Sequence, residues 1–424
     1  MKIDKLASYE ILDSRGNPTV EVELTSGKIK VSSSVASGAS TGIYEAVELR
    51  DNDKARYNGK GVLQAIENVN QKIASHIVGV NISSQKKLDN LLIKMDGTEN
   101  KGNLGANAIL GVSLAFAKAM AVKKNQELYE YFGSLAGYPP FTKGGQGEVL
   151  LPTPSFNIIN GGKHADSGLD IQEFMIQPIH FPNFHEKVRA GAEIFHALKK
   201  ILSDRGDITS VGDEGGFAPR LKSNEEGFEV IIEAIKKAGY TTDQVKIGID
   251  AAASSFYEDG KYNVRTSAGE RKSLSRDELI EWYGELINKY PINSIEDGFE
   301  ENDWKGFQKL TEKFGDKITI VGDDLLVTNI KKVKEAIRKN AVNSVLIKLN
   351  QIGTVTETIK TIQLAKSKNW IPFVSHRSGE TEDTYIADLA AGLGCEFIKT
   401  GAPCRSERLA KYNRLMKIEH LLMI

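Results

Sequence analysis

The final stretch of roughly 130 residues repeats one short phrase, and nothing else in the chain restricts the fold as strongly. A short apolar run ends in a charged or polar residue, and a helical stretch follows. The run 292–295 leads to Glu296, 318–321 leads through Gly322 to Asp323 and Asp324, and 345–347 leads to Lys348. The run 371–374 leads to Ser375, His376 and Arg377, and 397–398 to Lys399. The polar ends recur about every 25 residues, enough for one buried strand, a loop, an amphipathic helix and a return. Wound repeatedly, that unit closes a parallel barrel whose strand ends converge on one rim. The converging carboxylates, two lysines, histidine and arginine predict a metal-assisted acid/base site.

Upstream of the repeat the pattern changes. Residues 2–12, 19–24 and 28–35 read as three strands of an antiparallel meander, with turn chemistry at 13–18. Apolar residues at helical spacing predict helices over 62–78 and 107–123, the second with Ile109, Val112, Phe116 and Met120 as its buried stripe. The Gly- and Pro-rich segment 133–147 is the predicted linker. The predicted fold class is therefore α/β: a TIM-like barrel over 148–424 behind an N-terminal α+β domain over 1–135. Strands are expected at 154–159, 173–179 and 246–253, and helices at 188–202 and 228–238.

Composition excludes several classes of function. A chain of 424 residues suits two domains, and a net charge of -1 offers no electrostatic grip on nucleic acid or a membrane surface. No run of about 18 apolar residues suggests a membrane span, and residues 1–13 lack the apolar core of a signal peptide. Cys395 and Cys404 make neither a disulfide framework nor a zinc site. The expected location is the cytoplasm, with reduced thiols.

Asp250, Glu296 and Asp323 each lie in or at the end of an apolar run. A buried carboxylate needs a cation or hydrogen bonds, and three at barrel-like intervals favour a hard cation, Mg²⁺ or Mn²⁺. Lys348 and Lys399 have apolar flanks, and desolvation with a neighbouring positive charge would lower a lysine's pKa and make it a usable base. One would act as base, the other as its charged neighbour or as a substrate contact. Arg377 and Ser378, beside His376, suit an oxyanion, the alternative being a loop-start salt bridge. Glu214 among glycines and Glu173 beside Gln172 are candidate acids. His164, in a second Gly-rich loop at 160–166, is a weaker candidate, and the Gly-rich loop 37–42 taken alone reads as surface.

At these residues the chain resembles the enolase family, nearly end to end. The resemblance rests on the segments 13–19, 37–42, 172–175, 212–216, 294–297, 322–325, 349–353, 375–383 and 398–401, in the family's order. It implies an enolase-type (β/α)8 barrel under an α+β cap, with the first strands antiparallel before the regular units begin. It implies reversible dehydration of 2-phosphoglycerate to phosphoenolpyruvate with two Mg²⁺ per site. Asp250, Glu296 and Asp323 would hold one ion, and Ser40 would ligate the second as its loop closes. Lys348 would remove the C2 proton, and Glu214 would protonate the departing 3-hydroxyl with Glu173 and His164 nearby. Gln172, His376, Arg377, Ser378 and Lys399 would bind substrate. The family resemblance further implies a homodimer, or an octamer of dimers; the near-zero net charge gives no reason to expect a nucleic-acid partner. Ala36 stands where a proline often precedes Ser37, Ser255 where a glutamate is usual, and 133–147 runs long. A dehydratase or racemase on another acid would lack the Arg377, Ser378 and Lys399 set, and an inactive binding protein on this fold would have lost ligands or base.

Overall fold

The computed structural model describes residues 1–38, 42–139, 151–162, 165, 167–265 and 270–423. Ser40 and His164 lie outside the described residues, and so does 140–150 of the predicted linker. The linker cannot begin at Gly133, because the helix Leu128–Leu135 runs through it.

The N-terminal part opens with β1 (Lys5–Leu12), β2 (Pro18–Ser26) and β3 (Ile29–Ser34), an antiparallel meander in the order read from the sequence. Val20, Val22 and Leu24 alternate inward along β2 and are fully buried. They meet the helix Ala106–Lys123. Gly111 of that helix lies against Val22, where a Cβ would come within 2.6 Å of Cγ2, so only glycine permits the approach. The predicted single stripe is too narrow for this helix: 15 of its residues are buried, on every side. Among the described residues it is the one helix long and apolar enough to cross a membrane by composition, and 83% of it is buried inside the protein. The expectation that no such stretch exists is thus corrected, and burial in the core explains its apolar character.

The rest forms a closed barrel. Its strands are β4 (Thr153–Asn160), β5 (Glu173–Pro178) and β6 (Val245–Asp250). After a small antiparallel sheet of β7 (Tyr257–Glu258), β8 (Lys261–Arg265) and β9 (Arg271–Leu274), the barrel continues with β10 (Ile292–Glu296), β11 (Thr319–Gly322), β12 (Ser344–Ile347), β13 (Ile371–Ser375) and β14 (Phe397–Lys399). β5 pairs antiparallel with both β4 and β6, and every other barrel pairing is parallel. One strand therefore runs against seven. It brings its first residue, Glu173, into register with Asp250, the last residue of β6.

Two-residue alternation sorts the barrel side chains. Ile295, Ile320 and Ile398 point outward into the main core beneath the helices. Val321, Leu346, Phe373 and Phe397 point inward and form a separate apolar plug, the two rings stacked at 4.3 Å. Above it Gln177 donates to Ser155 and Ser294, both at 3.0 Å. The charged residues lie at the rim. Alternation thus explains the repeating phrase: the residue that ends each apolar run is the next inward position after the strand's outward one.

The last helix, Ser406–Met423, carries a second group of buried charges between cap and barrel. Lys411 Nζ donates to Glu380 Oε2 at 2.7 Å and to the carbonyls of Thr381 and Glu407, while Arg414 pairs with Asp388 and Glu127. Ser37 of the cap exchanges two backbone hydrogen bonds with Gly379 at the barrel rim, at 2.7 and 2.9 Å. The carbonyl of Ala36 accepts from Asn350 Nδ2 at 3.1 Å, so the position that lacks the usual proline is tied to the barrel.

Candidate active site

Asp250, Glu296 and Lys399 end their strands, Asp323 and Lys348 lie one residue past theirs, and Glu173 begins the inverted strand. His376, Arg377 and Ser378 follow β13, and Glu214 comes from the loop after the helix Phe184–Asp204. That loop turns tightly at Gly215, whose φ is +86°, and Gly216 packs where a Cβ would stand 2.4 Å from Asn160 Oδ1. With Gln172, all of these except Glu296 line one cavity of about 80 Å³, together with Glu45, Asp297, Asp324 and Ser255. Glu296 joins the group through Lys399.

Lys399 Nζ sits among three carboxylates, 2.8 Å from Glu296 Oε1, 3.0 Å from Glu173 Oε2 and 3.3 Å from Asp250 Oδ2. Lys348 Nζ is paired with Asp323 Oδ2, whose other oxygen accepts from Gln351 at 2.9 Å. Gln172 Nε2 reaches Asp250 Oδ2 at 3.5 Å. Two lysines thus face six carboxylates: Glu173, Glu214, Asp250, Glu296, Asp323 and Asp324. Burial, and then the charge of Glu214, pushes Glu173 well above the usual carboxylate range. Burial and the charge of Asp250 do the same to Glu296. Burial and the charge of Asp323 raise Asp324 to about 7. Asp323 goes the other way, because Lys348 outweighs its burial.

The expectation for the lysines is corrected. Burial lowers the pKa of Lys348, but the adjacent Asp323 charge reverses that and holds the ammonium above its ordinary value. Glu173, Glu296 and Asp250 likewise hold Lys399 protonated against its burial. Apolar flanks and a second lysine can be read along the chain; carboxylates from neighbouring strands cannot.

Asp250, Glu296 and Asp323 fit a hard divalent cation. They offer oxygen donors only, on three consecutive barrel strands, in a site with more negative charge than its own lysines neutralise. A tighter group also exists, since ligand atoms of Asp297, Asp323 and Asp324 lie within 4.8 Å of one another. Both oxygens of Asp297, however, accept the backbone N–H groups of Asp323 and Asp324, at 2.9 and 2.8 Å. Asp297 therefore fixes the turn that presents Asp323.

The opposite wall is held by side-chain hydrogen bonds. Glu214 accepts from Asn157 Nδ2 at 3.0 Å and from Ser378 Oγ at 3.0 Å, and His376 Nε2 lies 3.4 Å from Glu214 Oε2. Arg408, from the last helix, donates to His376 Nδ1 at 2.6 Å. Burial pushes the His376 pKa down to about 4. Arg377 is held in a buried ion pair by Glu45 of the cap, with contacts at 2.9 and 3.1 Å, and also donates to Asn350 Oδ1 at 2.8 Å. The salt-bridge alternative read for Arg377 is therefore present, with a partner 332 positions away. Glu45, Asn157, Gln351 and Arg408 escaped sequence reasoning. None ends an apolar run, and only Gln351, in the segment 349–353, stands in a motif singled out for the resemblance.

Residues 3–132 match the family model for the enolase N-terminal domain, and residues 148–423 match that for the enolase C-terminal TIM barrel domain.

Proposed function

Because the chain belongs to the enolase family, and its rim brings lysines, a glutamate and further carboxylates to one cavity, we propose that it reversibly dehydrates 2-phosphoglycerate to phosphoenolpyruvate. The observation that carries this reading is the division of the cavity into a lysine–carboxylate wall and a Glu214–His376–Ser378 wall. The first suits proton removal and the second suits protonation of a leaving group. A proton beside a carboxylate is barely acidic, because its removal adds a second negative charge. Mg²⁺, held by Asp250, Glu296 and Asp323 with Ser40 at a second ion, would supply the positive charge that steadies it. The pairing of a lysine base with Mg²⁺ is the known arrangement of enolase-superfamily sites and is taken over from them.

Lys348 removes the C2 proton on this reading, which requires it to give up the proton that its pairing with Asp323 now holds. Glu214 then delivers a proton to the 3-hydroxyl, so that water leaves rather than hydroxide. Lys399 and Arg377 bind the substrate's anionic groups, and an incoming oxyanion competes with Glu45 for the guanidinium. The same reading carries a cytoplasmic location and a homodimer or octamer.

The assay follows ultraviolet absorbance as the enol ester forms from 2-phosphoglycerate with and without Mg²⁺. No rise with Mg²⁺ present excludes the proposal. Lys348→Ala is expected to abolish exchange of the C2 proton with solvent. Glu214→Gln is expected to slow dehydration by roughly 10²- to 10⁴-fold while sparing that exchange; loss of exchange in Glu214→Gln would show that the two roles are wrongly assigned.

A further inference from the structure

Behind the Glu214 side of the cavity lies Arg408, whose side chain is fully buried. Nη1 donates to His376 Nδ1 at 2.6 Å and to the Arg377 carbonyl at 2.7 Å. Nη2 donates to the carbonyls of Ser378 at 2.7 Å and Asp213 at 3.0 Å, and reaches Ser14 Oγ at 3.5 Å. We propose that Arg408 is a positioning residue that fixes the tautomer of His376, leaving Nδ1 bare and aiming the Nε2 proton at Glu214 and at a ligand bound beside it.

A guanidinium has N–H donors, no acceptor, and no accessible deprotonation. A ring nitrogen 2.6 Å from it must therefore accept, so the single proton of the neutral ring sits on Nε2. The charged groups facing the ring are Glu214 from its loop, Arg408 from the last helix and Lys399 from β14. Burial and the two cations outweigh the one carboxylate, and the ring stays neutral well below pH 6.5. An imidazolium would also set an N–H against the guanidinium. At 3.4 Å from Glu214, Nε2 is too far for a strong hydrogen bond, so its proton remains available to a ligand.

Neutrality matters for the acid. Glu214 must carry a proton to deliver one, and a cation at His376 would favour its ionised form. The carbonyl contacts add a second effect: the same guanidinium ties the 213–214 turn to residues 377 and 378, so the acid and the histidine keep their relative positions. The effect on turnover rests on the proposed dehydration; the tautomer does not.

The test is long-range ¹H–¹⁵N NMR on the full chain labelled with ¹⁵N-histidine, the His376 signals being assigned by their loss in His376→Gln. At pH 7 Nδ1 is expected to resonate as an unprotonated nitrogen and Nε2 as a protonated one, with no titration above about pH 5. A protonated Nδ1, or a ring titrating near 6.5, overturns the proposal without any Arg408 variant. Arg408→Met is expected to give mixed tautomers and to raise the ring's titration by about one pH unit or more. It should also lower kcat by about 10- to 100-fold with KM little changed, and move the acid limb of the pH profile upward. Arg408→Lys restores a donor and is expected to recover the tautomer and part of kcat. A folded Arg408→Met with the original tautomer and pH profile refutes the role. The spectrum decides the tautomer even if the wild-type protein fails to dehydrate 2-phosphoglycerate, so failure of the activity and failure of the tautomer remain separate results.

Discussion

Among the described residues, two of the groups of buried charges are built on opposite principles. Under the last helix the pairing is local and complete: Lys411 faces Glu380 with two carbonyls filling its other donors, and Arg414 faces Asp388. At the barrel rim two lysines are shared among six carboxylates, and several of those carboxylates are pushed toward protonation by burial and by one another. Balanced pairs of this kind hold structure together. Surplus negative charge in a cavity is a standing demand for a cation from outside. Burial alone does not separate the two groups; the count of partners does.

The difference can be broken at either end. Lys411→Met strands Glu380, 2% exposed in its side chain, without a counter-charge. Its expected cost is about 3–5 kcal/mol, read as a lower denaturant midpoint; a loss below about 1 kcal/mol would mean that the pair is not a structural one. Next in size is a pH effect on the acid wall. His376 has a folded-state pKa of about 4 against an ordinary 6.5, so between those values the unfolded chain binds the extra proton. Stability is then expected to climb by roughly 3 kcal/mol as pH rises through that window, to level off above it, and to climb less in His376→Gln. Equal slopes for the two proteins between pH 4 and 6.5 would remove the histidine from the account.

The smallest effect sharpens the contrast most. Glu296→Gln removes one carboxylate from the crowded group. In divalent-free buffer it is expected to leave stability unchanged or raise it by about 1 kcal/mol, where truncating a balanced pair can only lower it. Wild-type protein should gain about 2.7 kcal/mol from Mg²⁺ at a hundred times its Kd, seen as a rise in Tm, and the variant should lose most of that gain. A strongly destabilised Glu296→Gln in divalent-free buffer would place Glu296 with the balanced pairs after all.

Much of this arrangement was legible in the chain because strands alternate. Asp250, Glu296, Asp323, Lys348 and Lys399 announce themselves by standing at or just past the end of an apolar run. Their meeting at one rim follows from parallel winding. What failed to show was whatever depends on a partner from elsewhere. The direction of the Lys348 pKa turns on Asp323, a contact across two strands. Glu45 and Arg377 come from different domains, and Arg408 sits in a helix whose sequence offers only ordinary alternating charge. In the helix Ala106–Lys123 the stripe legible in the sequence is buried but is only part of the buried surface: a stripe can be counted along a sequence, but elements closing around a helix on all sides cannot.

The barrel closes by pairing β14 with β4, Lys399 opposite Ser155, roughly 240 residues apart in the chain. A chain emerging from the ribosome at about 5–20 residues per second would therefore wait on the order of ten seconds or more, after its first barrel strand appears, for the strand that completes the ring. Late in that interval Glu173, Asp250 and Glu296 exist without Lys399, and Glu214 and His376 without Arg408. A nascent or truncated chain that ends between β10 and β14 therefore carries the carboxylates but not the cation that now sits among them.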